Sequence, residues 1–286
     1  MNYERLFAFT AFADPMNFTR AARQLHISQP ALHVQVRKLA EEVGRPLYRR
    51  SGKSLVLTAE GKALAAFGRE VQDRGRSVLE EVRGQSSTGP VTVASGEGAF
   101  LYLLGPAIRR FPKERWPLRL LTASGPETVE AIRESRAHLG VVGAAGAPQD
   151  LAATPLRTIG QKVLLPPGHR LARRRKLRPA DLSADRLVVA PAGRPHRAML
   201  DQLFRSAGCA LQVAVEASGW ELMIHFARLG VGIAVVNDFC PVPRGMVGVR
   251  LMGAPDVTYY LVERDGIAGP GVKAMRQLIV DTVRAG

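Results

Sequence analysis

Phe18-Thr19-Arg20-Ala21-Ala22-Arg23-Gln24-Leu25-His26-Ile27-Ser28-Gln29-Pro30-Ala31-Leu32 is the stretch that decides how the N-terminal part of this 286-residue chain folds. Ala21, Ala22 and Leu25 form the packing face of a short helix over residues 18–25. Ser28 then offers a side-chain oxygen to orphan amides, and Pro30 is tolerated in a first helical turn because its missing N–H has no helical partner there. The helix so opened is expected over 29–43, with Leu32, Val36, Leu39 and Val43 as its buried stripe and Gly44 as its stop. Upstream, Tyr3, Leu6, Phe7, Phe9, Thr10 and Ala13 recur at helical spacing until Asp14-Pro15. Downstream, residues 47–50 and 55–58 read as two short strands around Ser51-Gly52-Lys53. Helix, helix, turn, helix, hairpin is the order of a winged helix-turn-helix, assigned to residues 1–58.

A long helix follows, expected to reach residue 82. Leu64, Gly68, Val71, Gly75, Val78 and Val82 lie alternately four and three apart, a heptad-like seam suited to pairing two helices. Residues 84–90 (Gly-Gln-Ser-Ser-Thr-Gly-Pro) read as a linker, so 59–88 is assigned to a dimerisation helix and hinge.

From Val91 the rhythm changes. Strands are expected at 91–94, 118–121, 139–142, 163–165, 187–189, 213–215, 233–236 and 259–262. Helices are expected at 99–111, 126–136, 196–207, 220–229 and 272–283. Alternating strands and helices argue for an α/β domain over 89–286, built as a two-lobed clamshell of the periplasmic-binding-protein kind. The first lobe is assigned to about 89–161 and 264–286, the second to about 162–263. Ligands of such folds lie where strand ends face the cleft. Candidate walls are therefore Ser95, Gly96 and Glu97 after the first strand, Ser124 and Gly125 after the second, and Gly143 and Ala144 after the third. Gly193, Arg194, His196 and Trp220 come from the other lobe. Arg194 and His196 can pair with a carboxylate, and Trp220 can cover an apolar ligand, so a small-molecule effector is expected, with an anion as one option. Glu97 opposes an anion and leaves a ligand with an amine or hydroxyl group as the alternative.

The net charge of +15 attracts polyanions but does not locate their site. Residues 1–88 carry 14 Lys and Arg against 9 Asp and Glu, so most of the excess lies downstream. The run Arg173-Arg174-Arg175-Lys176 fits a solvated loop. No apolar run approaches the ~20 residues of a membrane span, and the first residues lack a basic leader followed by an apolar stretch. A cytoplasmic protein without a membrane role is expected. Cys209 and Cys240 form no motif, and buried thiols are the default. A nucleophile elbow, a phosphate loop and metal-spaced His and Cys are all missing, which argues against an enzyme, a metal or a cofactor.

Four blocks in order and spacing carry a family resemblance: Phe18-Thr19-Arg20-Ala21-Ala22-Arg23-Gln24-Leu25, Ser28-Gln29-Pro30-Ala31-Leu32, Gly44-Arg45-Pro46-Leu47-Tyr48-Arg49-Arg50 and Leu57-Thr58-Ala59-Glu60-Gly61. Leu165-Pro166-Pro167-Gly168-His169-Arg170-Leu171-Ala172 and Ala227-Arg228-Leu229-Gly230-Val231-Gly232-Ile233-Ala234 extend it along the chain. The sequence resembles the LysR-type transcriptional regulators. That resemblance implies a homo-oligomer, commonly tetrameric on DNA, acting on RNA polymerase. His33, Ala40 and Gly140 depart from the family pattern and bear on operator sequence and effector type.

The helix opened by Ser28 is expected in the major groove, where base edges carry an unambiguous donor and acceptor code. Opposite its buried stripe it presents Gln29, Pro30, Ala31, His33, Val34 and Arg37. Gln29 suits adenine, Pro30 and Ala31 a thymine methyl, and His33 a guanine or a phosphate. Arg20, Arg37, Arg50 and Lys53 suit phosphates. The competing reading is a solute-binding or enzymatic clamshell with an accessory DNA-binding head. A structural nucleoid protein is a third, and the long second half argues against it.

Overall fold

The computed structural model describes residues 1–83, 89–266 and 268–285. Three helices open the chain: α1 (Tyr3–Ala13), α2 (Phe18–Gln24) and α3 (Gln29–Val43). Each begins at a side-chain cap, Asn2 accepting from the Arg5 amide, Asn17 from Arg20 and Ser28 from Ala31. Such caps satisfy amides that lack a helical partner. Gly44 stops α3 in the left-handed region at φ 71°. Leu32, Val36 and Leu39 are buried as expected, but Val43 is 39% exposed, because the last turn of α3 runs past the core. Strands β1 (Tyr48–Ser51) and β2 (Ser54–Leu57) pair antiparallel as a wing.

The long helix α4 (Ala59–Val82) packs its first turns onto α1, with Ala65 fully buried in the helix-turn-helix core. At Gly68 an added Cβ would sit 2.0 Å from Thr10 Oγ1, so the close approach of α1 requires glycine there. Leu64 also packs against that core. Leu64 and Gly68 therefore serve their own domain, which corrects the expected seam at those positions. The reason is that the winged domain needs the start of α4 to close its core. The exposed apolar stripe of α4 is instead Phe67, Val78, Leu79 and Val82, with Val71 half-buried and Gly75 open. Of the expected linker 84–90, residues 84–88 lie outside the described residues.

The remainder forms two lobes. One contains a five-stranded sheet in the order β4-β3-β5-β13-β6, formed by β3 (Val91–Ser95), β4 (Leu118–Thr122), β5 (Leu139–Ala144), β6 (Ala152–Ile159) and β13 (Val257–Glu263). The other contains a six-stranded sheet in the order β10-β9-β11-β7-β12-β8. Its strands are β7 (Gln161–Leu165), β8 (Lys176–Leu177), β9 (Leu187–Val189), β10 (Val213–Glu216), β11 (Ile233–Asn237) and β12 (Val247–Leu251). Because β13 pairs with β5 and β6, residues 257–263 belong to the first lobe, which corrects the expected boundary at 263. The chain thus crosses between lobes at Gly160 and again between β12 and β13.

Helices α5 (Glu97–Tyr102), α6 (Gly105–Arg110), α7 (Gly125–Arg133) and α10 (Pro270–Ala285) cover the first sheet, and α8 (Pro195–Ser206) and α9 (Trp220–Arg228) cover the second. The single helix expected over 99–111 is broken between α5 and α6, where Leu104 N bonds back to Ala99 O just before Pro106. Proline lacks the amide that continuous helix would need. Strand β6 escaped the sequence reading because it contains Pro155. Proline is acceptable only at a sheet edge or bulge, and β6 is an edge strand whose register against β13 shifts at Tyr259/Tyr260.

Candidate DNA-binding face and effector cleft

Helix α3 holds its outer face clear of the core because Leu32, Val36 and Leu39 anchor the inner one. Arg20, Ser28, Gln29, Pro30, His33, Arg37, Arg50 and Lys53 are exposed, Val34 is 41% exposed, and Ala31 is half-buried. The Gln29 carboxamide oxygen accepts from Thr19 Oγ1 at 3.0 Å, which orients the amide from the preceding helix. No sequence signal pointed to Thr19. One face of the His33 ring stacks on Phe18 at 3.6 Å between centroids, leaving its other face and its edge outward. Arg37 pairs loosely with Glu41 at 3.5 Å, an exposed contact that a phosphate can replace at little cost. Between α3 and the wing lies an open groove of about 790 Å³ whose lining includes His33, Val34, Arg37, Arg49 and Arg50. Arg49 was not among the expected contacts, although the Arg49-Arg50 pair itself was the signal.

The second site lies between the lobes, a cleft of about 810 Å³. That volume is within the range of small-molecule sites. Gly96, Glu97, Ser124, Gly125, Gly143, Ala144, Arg194, His196 and Trp220 line it. Ser95 does not: it is fully buried and donates its hydroxyl to Val141 O at 2.7 Å, fastening β3 to β5. Gly193 also lies outside the lining and serves a left-handed turn at φ 83°.

His196 was expected to offer a charge to a carboxylate. Burial without a partner instead holds its pKa down to about 4, and both ring nitrogens are unpaired. It is a neutral imidazole, packed edge-on against Trp220 at 4.7 Å. The hydroxyl and amide of Ser124 both donate to Glu127 Oε2, at 2.7 and 2.8 Å. Those bonds, with Arg194 adding its field, hold the Glu127 carboxyl below the usual range.

Strands β7, β11 and β13 supply a floor that the sequence reading missed. Gln161 Nε2 donates to Asn237 Oδ1 at 2.8 Å, and Asn237 Nδ2 donates to Tyr259 Oη at 3.1 Å. Gln161 is 2% exposed and its Oε1 has no partner. At one edge the lobes interlock. A Cβ at Gly98 would meet the Trp220 ring at 2.2 Å, and Tyr102 donates its hydroxyl to Glu221.

The two cysteines lie apart. Cys209 packs in the cluster with Leu165, Leu187 and Val235, and Cys240 in the one with Leu164, Val188 and Val236. Adjacent strand residues point to opposite faces, so the thiols occupy opposite faces of one sheet. Burial pushes the Cys240 thiol up to about 12, far from the reactive thiolate form.

A winged helix-turn-helix joined by a long helix to a two-lobed cleft domain defines a ligand-responsive DNA-binding regulator. The family comparisons agree over nearly the whole chain. Residues 3–62 match the bacterial regulatory helix-turn-helix protein of the lysR family, and residues 84–284 match the LysR substrate binding domain. The chain belongs to the LysR family of transcriptional regulators, and it is a DNA-binding regulator with an effector-binding domain, not an enzyme.

Among its relatives, the RuBisCO operon transcriptional regulator of Allochromatium vinosum is 28% identical over 293 residues, covering 98% of this chain and 96% of that protein. The transcriptional activator protein LysR of Escherichia coli is 28% identical over 247 residues, covering 83% and 78%. A full-length OxyR variant from Pseudomonas aeruginosa has the same fold, with TM-score 0.76 and 21% identity over 99% of this chain and 95% of its own. CbnR complexed with its target DNA superimposes with TM-score 0.62 and 20% identity, over 99% of this chain and all of the other. Among the described residues no helix is long and apolar enough to cross a membrane, and no His, Cys, Asp and Glu cluster could hold a metal.

Proposed function

We propose that this regulator works in the cytoplasm as a homodimer that can pair into a tetramer on DNA, and that a small molecule in the cleft alters how that assembly sits on its operator and meets RNA polymerase. The observation that carries the coupling is the position of α7. Its first turn, Ser124 to Glu127, lines the cleft. Its far end touches α4: Lys62 Nζ lies 3.1 Å from Glu130 Oε1 and 3.0 Å from Glu134 Oε1, and Arg69 donates to the Glu134 carbonyl at 2.5 Å. Arg69 also holds Asp14, at the end of α1, at 2.7 Å. One rigid element therefore connects the cleft wall to the helices that carry the reading head. A ligand that favours one lobe arrangement shifts the DNA-bound state through it, by as much as its affinities for the two arrangements differ.

On the DNA side, Gln29 reads a base, while Arg20, Arg37, Arg49, Arg50 and Lys53 hold phosphates. The test is binding to matched and mismatched operator duplexes across a range of salt. Gln29→Ala costs ~1–3 kcal/mol on the cognate site and relaxes preference at one base pair. Arg37→Ala weakens all sequences alike and lowers the salt slope by about one unit. Unchanged base preference in Gln29→Ala sinks the assignment of that residue.

A further inference from the structure

We infer that the cleft selects an uncharged or positively charged ligand with an apolar body and an N–H or O–H donor directed at Gln161, and that it rejects carboxylates and phosphates. The inference rests on the reading of the cleft as the effector site and adds to it the chemistry of the ligand.

Three observations carry it. The first is the charge of the walls. Glu97 and Glu127 face the cleft and Arg194 is the only opposing cation among the described lining residues, because His196 is neutral. Two carboxylates against one guanidinium disfavour an incoming anion, and charges between protein walls are screened less than in bulk water. The second is that the Ser124 donors at the start of α7 are already taken. The Ser124 hydroxyl and amide, which a ligand carboxylate would otherwise accept from, both serve Glu127 Oε2. An anion there must displace a carboxylate belonging to the protein.

The third observation concerns buried polar atoms. Gln161 lines the cleft in a side chain that is 98% buried, and the chain of bonds through Asn237 to Tyr259 commits its Nε2, leaving Oε1 as a buried acceptor without a partner. Burying an acceptor unpaired is costly, and a ligand donor removes that cost. His196, from α8 of the same lobe, also lines the cleft and has both ring nitrogens unpaired. The neutral ring offers one donor and one acceptor but no charge. Much of the remaining wall is apolar, with Val129, Val142, Met199, Trp220, Met223 and Val257 supplying a surface for a ring or short chain.

The test uses the full-length protein and three probes on one skeleton: phenylacetamide, phenethylamine and phenylacetate. Binding is followed by calorimetry and by the shift in melting temperature. The amide and the amine bind at least about tenfold tighter than the carboxylate, a difference of ~1.4 kcal/mol. Gln161→Met keeps the bulk of the side chain, removes the acceptor and weakens the amide about tenfold. Glu97→Gln narrows the gap between amine and carboxylate. Gly96→Trp fills the cleft, since an added Cβ there has only Ala123 O nearby, at 3.8 Å, and it abolishes binding of all three.

Phenylacetate binding as tightly as the amide overturns the inference, and so does amide binding that Gln161→Met leaves unchanged. Binding that survives Gly96→Trp, or the failure of all three probes at millimolar concentration, overturns the reading of the cleft itself.

Discussion

His196 shows how burial rather than residue type sets the chemistry of a side chain. Next to Arg194 in sequence it reads as a second cation, yet in the fold it is enclosed against Trp220 with no carboxylate to hold a proton. Its folded pKa lies below the ordinary value of 6.5, so the folded state binds fewer protons than the unfolded one between those two values. The stabilisation from the neutral ring is therefore complete above about pH 6.5 and is lost as the pH falls toward about 4, by an amount on the order of 3 kcal/mol. Denaturant titration of the full-length protein at stepped pH checks this. His196→Phe should flatten the loss in that window, and an identical slope in the variant would mean that other groups carry it. Ser95 makes the same point for a hydroxyl. Its place after a strand suggested the cleft, but its bond to Val141 O turns it into the sheet.

Element α4 combines two roles that one periodicity could not separate. Its early turns close the winged domain, and its later turns expose Val78, Leu79 and Val82 to solvent. Together with Phe67 and Val71 these residues form the face on which a second copy is proposed to pair. A charge placed there would be buried unpaired in the dimer, at a cost of several kcal/mol. Phe67→Glu combined with Val78→Glu should turn the full-length protein from dimer to monomer in light scattering while its circular dichroism stays helical. Leu64→Glu should instead lower the melting temperature of the winged domain, since Leu64 packs in its own core. A double variant of unchanged mass argues against the face. The heptad-like spacing located the helix and its length. It could not show which positions α1 already covers, because that depends on the docking of a second helix.

The whole molecule is held in one arrangement by contacts between α4 and the first lobe. Lys62 and Arg69 meet the end of α7, and His138 adds a third contact. His138 Nδ1 accepts from the Thr92 amide at 2.9 Å, so its proton sits on Nε2 and donates to Asp73 at 3.2 Å. Arg69 is the most consequential of these, being 12% exposed and joining α1, α4 and α7 at once. Arg69→Met should leave the folding of each unit nearly unchanged and free the cleft domain from the reading head. The expected signs are a larger radius of gyration in small-angle scattering, faster hydrogen exchange at the end of α7 and an altered footprint on operator DNA. A scattering profile and footprint like those of the parent protein would leave α7 without a coupling role.

What the sequence by itself determined was everything local in origin. The caps at Ser28 and Gly44, the apolar stripe of Leu32, Val36 and Leu39, and the turn of the wing at Ser51-Gly52-Lys53 are signals that act within a few residues. They specified the reading head, and strand-helix alternation specified the lobes and most of the cleft walls. Tertiary structure alone decided the floor and the electrostatic character of the cleft. Gln161, Asn237 and Tyr259 are brought together from three strands far apart in sequence, β7, β11 and β13, and no spacing in the sequence marks them. The neutrality of His196 and the capture of Ser124 by Glu127 also follow from burial and contact, since a pKa and a free donor are properties of an environment. The membership of β13 in the first lobe was settled in the same way, by pairing with β5 and β6 across about a hundred residues or more of chain.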